Sequence, residues 1–188
     1  MPAFTSDRER CLWLWTLAAV VAIYSSLGFA GALAGALRDR NLLDTSFFAG
    51  VLLLAAVIAW SGLQRRPGCR EIWVALGILT VYGMALLRMG IGPEERTHLI
   101  EYGLVAVLIY QALVERRRQG RRVPRPAALA VGVTVLLGWL DEGIQWLLPN
   151  RVYDIRDVGF NALAALMAIA ASLALARARQ WWPNGEDR

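Results

Sequence analysis

Six long apolar runs, separated by short charged connectors, leave this chain few ways to fold. They cover Leu12–Leu37, Phe47–Leu63, Ile72–Leu87, His98–Val114, Ala127–Leu148 and Val158–Ala176. About 20 apolar residues in a helix cross a hydrocarbon core of about 30 Å. No water in that core can satisfy a bare backbone, so the spanning segment must bond to itself. The expected fold is all-α: a polytopic transmembrane helix bundle of about six spans. It forms a single membrane domain over 1–188, with two N-terminal spans in 1–66 and a four-span core over 72–176. The charged fraction, 19%, is below the quarter or so usual in soluble domains.

Orientation follows from the arginines. All 20 basic residues are Arg, and with six spans 14 fall on the side of the termini and six on the other. The connector after the fourth span alone holds Arg116, Arg117, Arg118, Arg121, Arg122 and Arg125. The positive-inside rule places both termini in the cytoplasm of a cell-membrane protein. The excess of positive charge is accounted for by these connectors, so no nucleic-acid partner is expected. Cys11 and Cys69 have no metal or disulfide spacing and read as reduced thiols. Gly31 and Gly35 form a Gly-x-x-x-Gly pair in the first run, a pattern that brings helix backbones together.

Three spans break the apolar rule at one end. The fourth opens with His98, Glu101 and Tyr102, which share a helix face. The fifth carries Asp141, Glu142 and Gln145; the sixth opens with Asp157 and, one turn on, Asn161. Arg151 lies in the loop between them. Asp141 is 16 residues beyond Arg125, so it sits about 24 Å along its helix and about 6 Å below the outer surface. Glu101 and Asn161 fall at the same depth, counting inward from outside. Ionisable groups at such depth face the bundle interior and are functional candidates by default. The competing reading is structural: polar side chains also hold membrane helices together, at about 0.6 kcal/mol per hydrogen bond.

These residues resemble the VanZ-like family of small bacterial membrane proteins. The shared pattern is His98 with Tyr102, then Asp141-Glu142-x-x-Gln145, then Pro149-x-Arg151, then Asp157 with Asn161. The resemblance covers roughly 72–176. Two departures stand out: Ala164 and Ala168 occupy positions where the family has glycines, which implies looser helix packing. Glu95 replaces a frequent Lys three residues before the His. The resemblance implies a role in the cell envelope; the family's namesake is associated with low-level teicoplanin resistance.

Three functions fit. In the first, the site binds or modifies a lipid-linked or cell-wall component at the outer leaflet. Its candidate catalytic residues are His98, Asp141, Glu142 and Asp157, its candidate binding residues Glu101, Tyr102, Gln145, Arg151 and Asn161. Arg151 would hold a phosphate or carboxylate, and the partners are membrane lipids or a lipid headgroup. In the second, the protein is a metal-dependent membrane hydrolase or transferase. No cofactor is demanded by the sequence, but Asp141, Glu142, Asp157 and His98 offer hard oxygens and an imidazole to a divalent metal. In the third, the polar cluster is the network of a non-enzymatic scaffold.

Overall fold

The computed structural model describes residues 4–42, 45–46, 49–50, 52, 67–88, 93–148 and 154–180. Among them there are five long helices: α1 Asp7–Asp39, α2 Cys69–Arg88, α3 Pro93–Arg118, α4 Pro126–Trp146 and α5 Ile155–Gln180. All five are long and apolar enough to cross a membrane. They coincide with the first, third, fourth, fifth and sixth apolar runs. The second, Phe47–Leu63, falls almost wholly outside the described residues.

Each helix except α4 outruns its apolar stretch at both ends; α4 stops at Trp146, two residues short of Leu148. Hydropathy marks only the part of the chain that sits in hydrocarbon, whereas Arg, Glu and Gln continue a helix readily once it has left it. The ends carry specific stop and start signals. After α3, Gly120 adopts φ 82°; its N–H donates to the Arg117 carbonyl and that of Arg121 to the Arg116 carbonyl. This is a Schellman closure, in which glycine takes the left-handed position at no steric cost. Pro126 opens α4, where its missing N–H costs nothing. Arg125 before it is left-handed, φ 43°, a conformation uncommon for a residue other than glycine.

The chain divides into two compact units. The first comprises Met1–Gly31 and Thr97–Ala170. Here α3 supplies a fully buried stripe of Leu99, Tyr102, Val105, Ala106, Ile109 and Ala112. The buried face of α4 is unlike a soluble core: Ala130, Thr134, Gly138, Asp141, Glu142 and Gln145 point inward. Its exposed face is apolar, with Leu136, Trp139, Leu140 and Trp146 more than half exposed. Small and polar side chains inside with large apolar ones outside is the distribution that a lipid solvent favours.

α3 meets α5 where Gly103 faces Ala168 and Ala164, both buried. The small residue that lets the two alanines come this close is on the facing helix. Gly35 of the Gly31–Gly35 pair behaves differently: a Cβ added there meets nothing within 4 Å among the described residues.

The first unit is tied at the end where α1 begins. Ser6 Oγ accepts the Glu9 N–H at 3.1 Å, and the Glu9 carboxylate accepts both the Thr5 N–H and the Thr5 hydroxyl. Glu9 is fully buried and pairs with Arg116 at 3.2 Å. Ser6 donates to Glu115, which also accepts from Gln119. Ser-x-x-Glu is the spacing of a capping box; here Ser6 caps the helix start and Glu9 takes the N–H of Thr5, one residue earlier. The network links the start of α1 to the end of α3.

The second unit comprises Ala32–Arg96 and Ala171–Arg188. Asn41, φ 54°, closes α1 as Gly120 closes α3, with bonds from Asn41 and Leu42 back to the Arg38 and Leu37 carbonyls. Arg179 pairs with Glu71 at 2.6 Å. Cys11 and Cys69 are free and exposed.

Removing the Glu9 carboxylate with Glu9→Ala, and with it the bonds from Thr5 and Arg116, is expected to cost about 1 kcal/mol. That lowers the unfolding midpoint of detergent-solubilised protein by about 2–4 °C. Arg10→Ala, at an exposed position of the same turn, serves as the control. Equal midpoints for the two variants would show that the Glu9 network carries no stability.

Candidate functional site

The residues singled out from the sequence, Arg151 apart, fall in one unit and come from three helices. His98 lies early in α3, Asp141, Glu142 and Gln145 near the end of α4, and Asp157 and Asn161 near the start of α5. Along α3, His98 is 18 residues from Arg116, or about 27 Å. The cluster and the capping network thus sit about one hydrocarbon thickness apart.

Burial is deep. Asp141, Glu142 and Asn161 are 0% exposed, Gln145 and Tyr102 nearly so, while His98, Glu101 and Asp157 are half-buried. Gln145 is the bracket: its Nε2 donates to Asp141 Oδ2 at 3.3 Å and to Glu142 Oε1 at 3.0 Å. The Asp154 N–H donates to the other Glu142 oxygen at 3.2 Å. His98 Nδ1 stands 4.0 Å from Asp141 Oδ2. The Tyr102 hydroxyl and the Glu101 carboxylate also lie close enough to Asp141 to feel its charge. One ligand atom each of His98, Glu142 and Asp157 fall within 4.8 Å of one another.

Asn161 meets a neighbouring backbone: its Nδ2 donates to the Gly138 carbonyl at 3.4 Å. The approach is so close that a Cβ at Gly138 would fall 2.7 Å from both Asn161 Cβ and Nδ2. Asn161 Oδ1 is sealed from solvent and has no hydrogen-bond partner among the described residues. Arg151 lies outside the described residues.

Three supporting residues were not singled out from the sequence. Gly138 admits Asn161; its only signal was an isolated glycine in an apolar run. Tyr24 on α1 donates to the Leu137 carbonyl at 2.7 Å, one turn before Asp141, and nothing local in the sequence points to it. Asp154 caps α5, its Oδ1 accepting the Arg156 N–H at 2.8 Å, while its own N–H holds Glu142. An Asp just before an apolar run is a readable cap signal.

The arrangement concentrates negative charge. Among the described residues Glu142 accepts only from neutral donors, with Asp157, Asp141 and Asp154 around it. Several kcal/mol per ion is the typical cost of burying charge without compensation. A site of this kind attracts cations, ammonium groups and hydroxyl donors, and its imidazole beside a carboxylate is suited to proton transfer.

The chain matches no family model, no curated protein and no solved structure.

Gly138→Ala is expected to destabilise the protein by about 1–3 kcal/mol through overpacking. Gly132→Ala in the same helix, where a Cβ meets nothing within 4 Å, should leave the thermal midpoint unchanged or raise it. Asn161→Gly, which removes the opposing Cβ, should recover most of the Gly138→Ala loss. Without that recovery, the Gly138–Asn161 approach is not what limits residue size there.

Proposed function

We propose that this chain is a VanZ-like protein of the cell envelope that binds, and acts on, the polar head of a membrane lipid or lipid-linked cell-wall component. Both termini would be cytoplasmic and the cluster would open at the outer leaflet, as the arginine distribution favours. The observation that carries this reading is a two-faced turn of helix. Over Trp139–Trp146, α4 buries Asp141, Glu142 and Gln145. On its other side Trp139, Leu140, Gly143 and Trp146 line an open apolar hollow. Polar groups for a head and an apolar wall for an acyl chain thus share one level of one helix. Such adjacency suits an amphipathic ligand better than a soluble one. In this reading Gln145 fixes the two α4 carboxylates, Asp141 orients His98, and Arg151 binds an anionic group of the ligand.

A purely structural network is the second reading, favoured by Gln145 bonding both carboxylates. Purification in native lipid separates the two. Wild-type protein should carry one lipid class in excess over the bulk membrane, identified by mass spectrometry. Asp141→Asn with Glu142→Gln should lose that excess, at least tenfold, while keeping its helical content and elution volume. Arg151→Ala should lose it as well. Unchanged lipid content in folded variants would overturn the proposal and leave the structural network.

A further inference from the structure

We infer that His98, Glu142 and Asp157 form a binding site for one divalent transition-metal cation, of the Mn²⁺ or Zn²⁺ class. Three helices each deliver one ligand: α3 the imidazole, α4 and α5 a carboxylate, with the ligand atoms mutually within 4.8 Å. An octahedron built on bonds of about 2.1 Å has ligand separations of about 3.0–4.2 Å. The three side chains therefore need to close by less than one bond length.

The chemistry of the set narrows the ion. Imidazole with two carboxylates suits Mn²⁺ and Zn²⁺. Ca²⁺ prefers six to eight oxygens, and Mg²⁺ keeps most of its water. Three protein ligands leave positions open for water or a substrate oxygen, as in catalytic rather than structural sites.

Two further observations point the same way. First, the surroundings hold the ligands in place. Gln145 and the Asp154 N–H each bond one oxygen of Glu142, and Asp141 stands beside the His98 ring nitrogen. A carboxylate behind a ligating imidazole sets its tautomer and raises its basicity. Second, Glu142 has Asp157, Asp141 and Asp154 around it and accepts only from neutral donors among the described residues. Two positive charges would offset the surplus of buried carboxylates, which the neutral donors around Glu142 do not.

The three ligands lie within the site proposed for the lipid head. An ion there would hold a phosphate or carboxylate oxygen of that head; this last role rests on the proposed function, whereas metal binding does not.

The chain has a single histidine, which makes the test specific. Protein purified without a histidine tag, treated with EDTA and dialysed in detergent, would be titrated with Mn²⁺ and followed by electron paramagnetic resonance. Binding of one Mn²⁺ per chain is expected, with nitrogen coupling from an imidazole in the pulsed spectrum. His98→Ala should abolish the coupling. Glu142→Gln and Asp157→Asn should each weaken binding at least about tenfold. Glu71→Gln, an acid in the other unit, should bind as wild type does. If Glu142→Gln fails to fold, half-buried Asp157 and His98 still decide the matter. Absence of stoichiometric Mn²⁺ and Zn²⁺ binding, or binding without imidazole coupling, overturns the site. Lipid co-purification that survives chelation and His98→Ala overturns the bridging role while leaving the lipid reading intact. Metal bound at one per chain without lipid enrichment supports the site and overturns the lipid reading.

Discussion

The approach of α4 to α5 at Gly138 and Asn161 governs everything polar above it. There is no room for a Cβ between them, and one turn further on the same two helices present Glu142 and Asp157. A membrane interior gives no hydrophobic reward for bringing helices together, so small residues and side-chain hydrogen bonds must do it. Gly103 against Ala164 and Ala168 repeats the device between α3 and α5. The first unit is thus drawn together by absences of side-chain volume, and its ionisable groups are placed by that closeness.

The polar residues have a division of labour. At one end Glu9, Arg116, Ser6 and Glu115 answer one another in charge and hydrogen bonding, which is what a fastening needs. At the other end the described partners of the α4 carboxylates are amides, an imidazole and one backbone N–H, and negative charge predominates. The contrast argues for different purposes. A network evolved only to fasten helices would be expected to balance its charges, as the first does.

Much of this was legible in the sequence, for a definite reason. In hydrocarbon, an apolar run of sufficient length has one outcome, so the five described helices and their order follow from hydropathy; His98, Asp141, Glu142 and Asp157 stand out because ionisable groups are rare there. Their common depth followed from counting residues at a fixed rise. Pairings across helices were less legible. That Asn161 meets the Gly138 backbone could not be read from spacing, because rotation of α5 about its axis is set by packing. Of the Gly31–Gly35 pair, Gly35 meets no neighbour among the described residues, whereas Gly138 and Gly103, outside any motif, do. Tyr24 reaches Leu137 across 113 residues, a relation no local pattern encodes. The cap at Ser6, with Glu9 at capping-box spacing, and the cap at Asp154 were readable by spacing alone.

The hairpin between α3 and α4 has a consequence for how such a chain can vary. Gly120 and the Arg125–Pro126 step pin both helix ends, so the number of residues from each pin to the cluster acts as a ruler. Deleting one residue between Pro126 and Asp141 would shift the carboxylates by about 1.5 Å and swing them about 100° around the axis, out of the interior and into lipid. Exchange of one apolar side chain for another on the outward face leaves the ruler untouched. Drift in composition should therefore be extensive along these spans, and drift in their length almost nil.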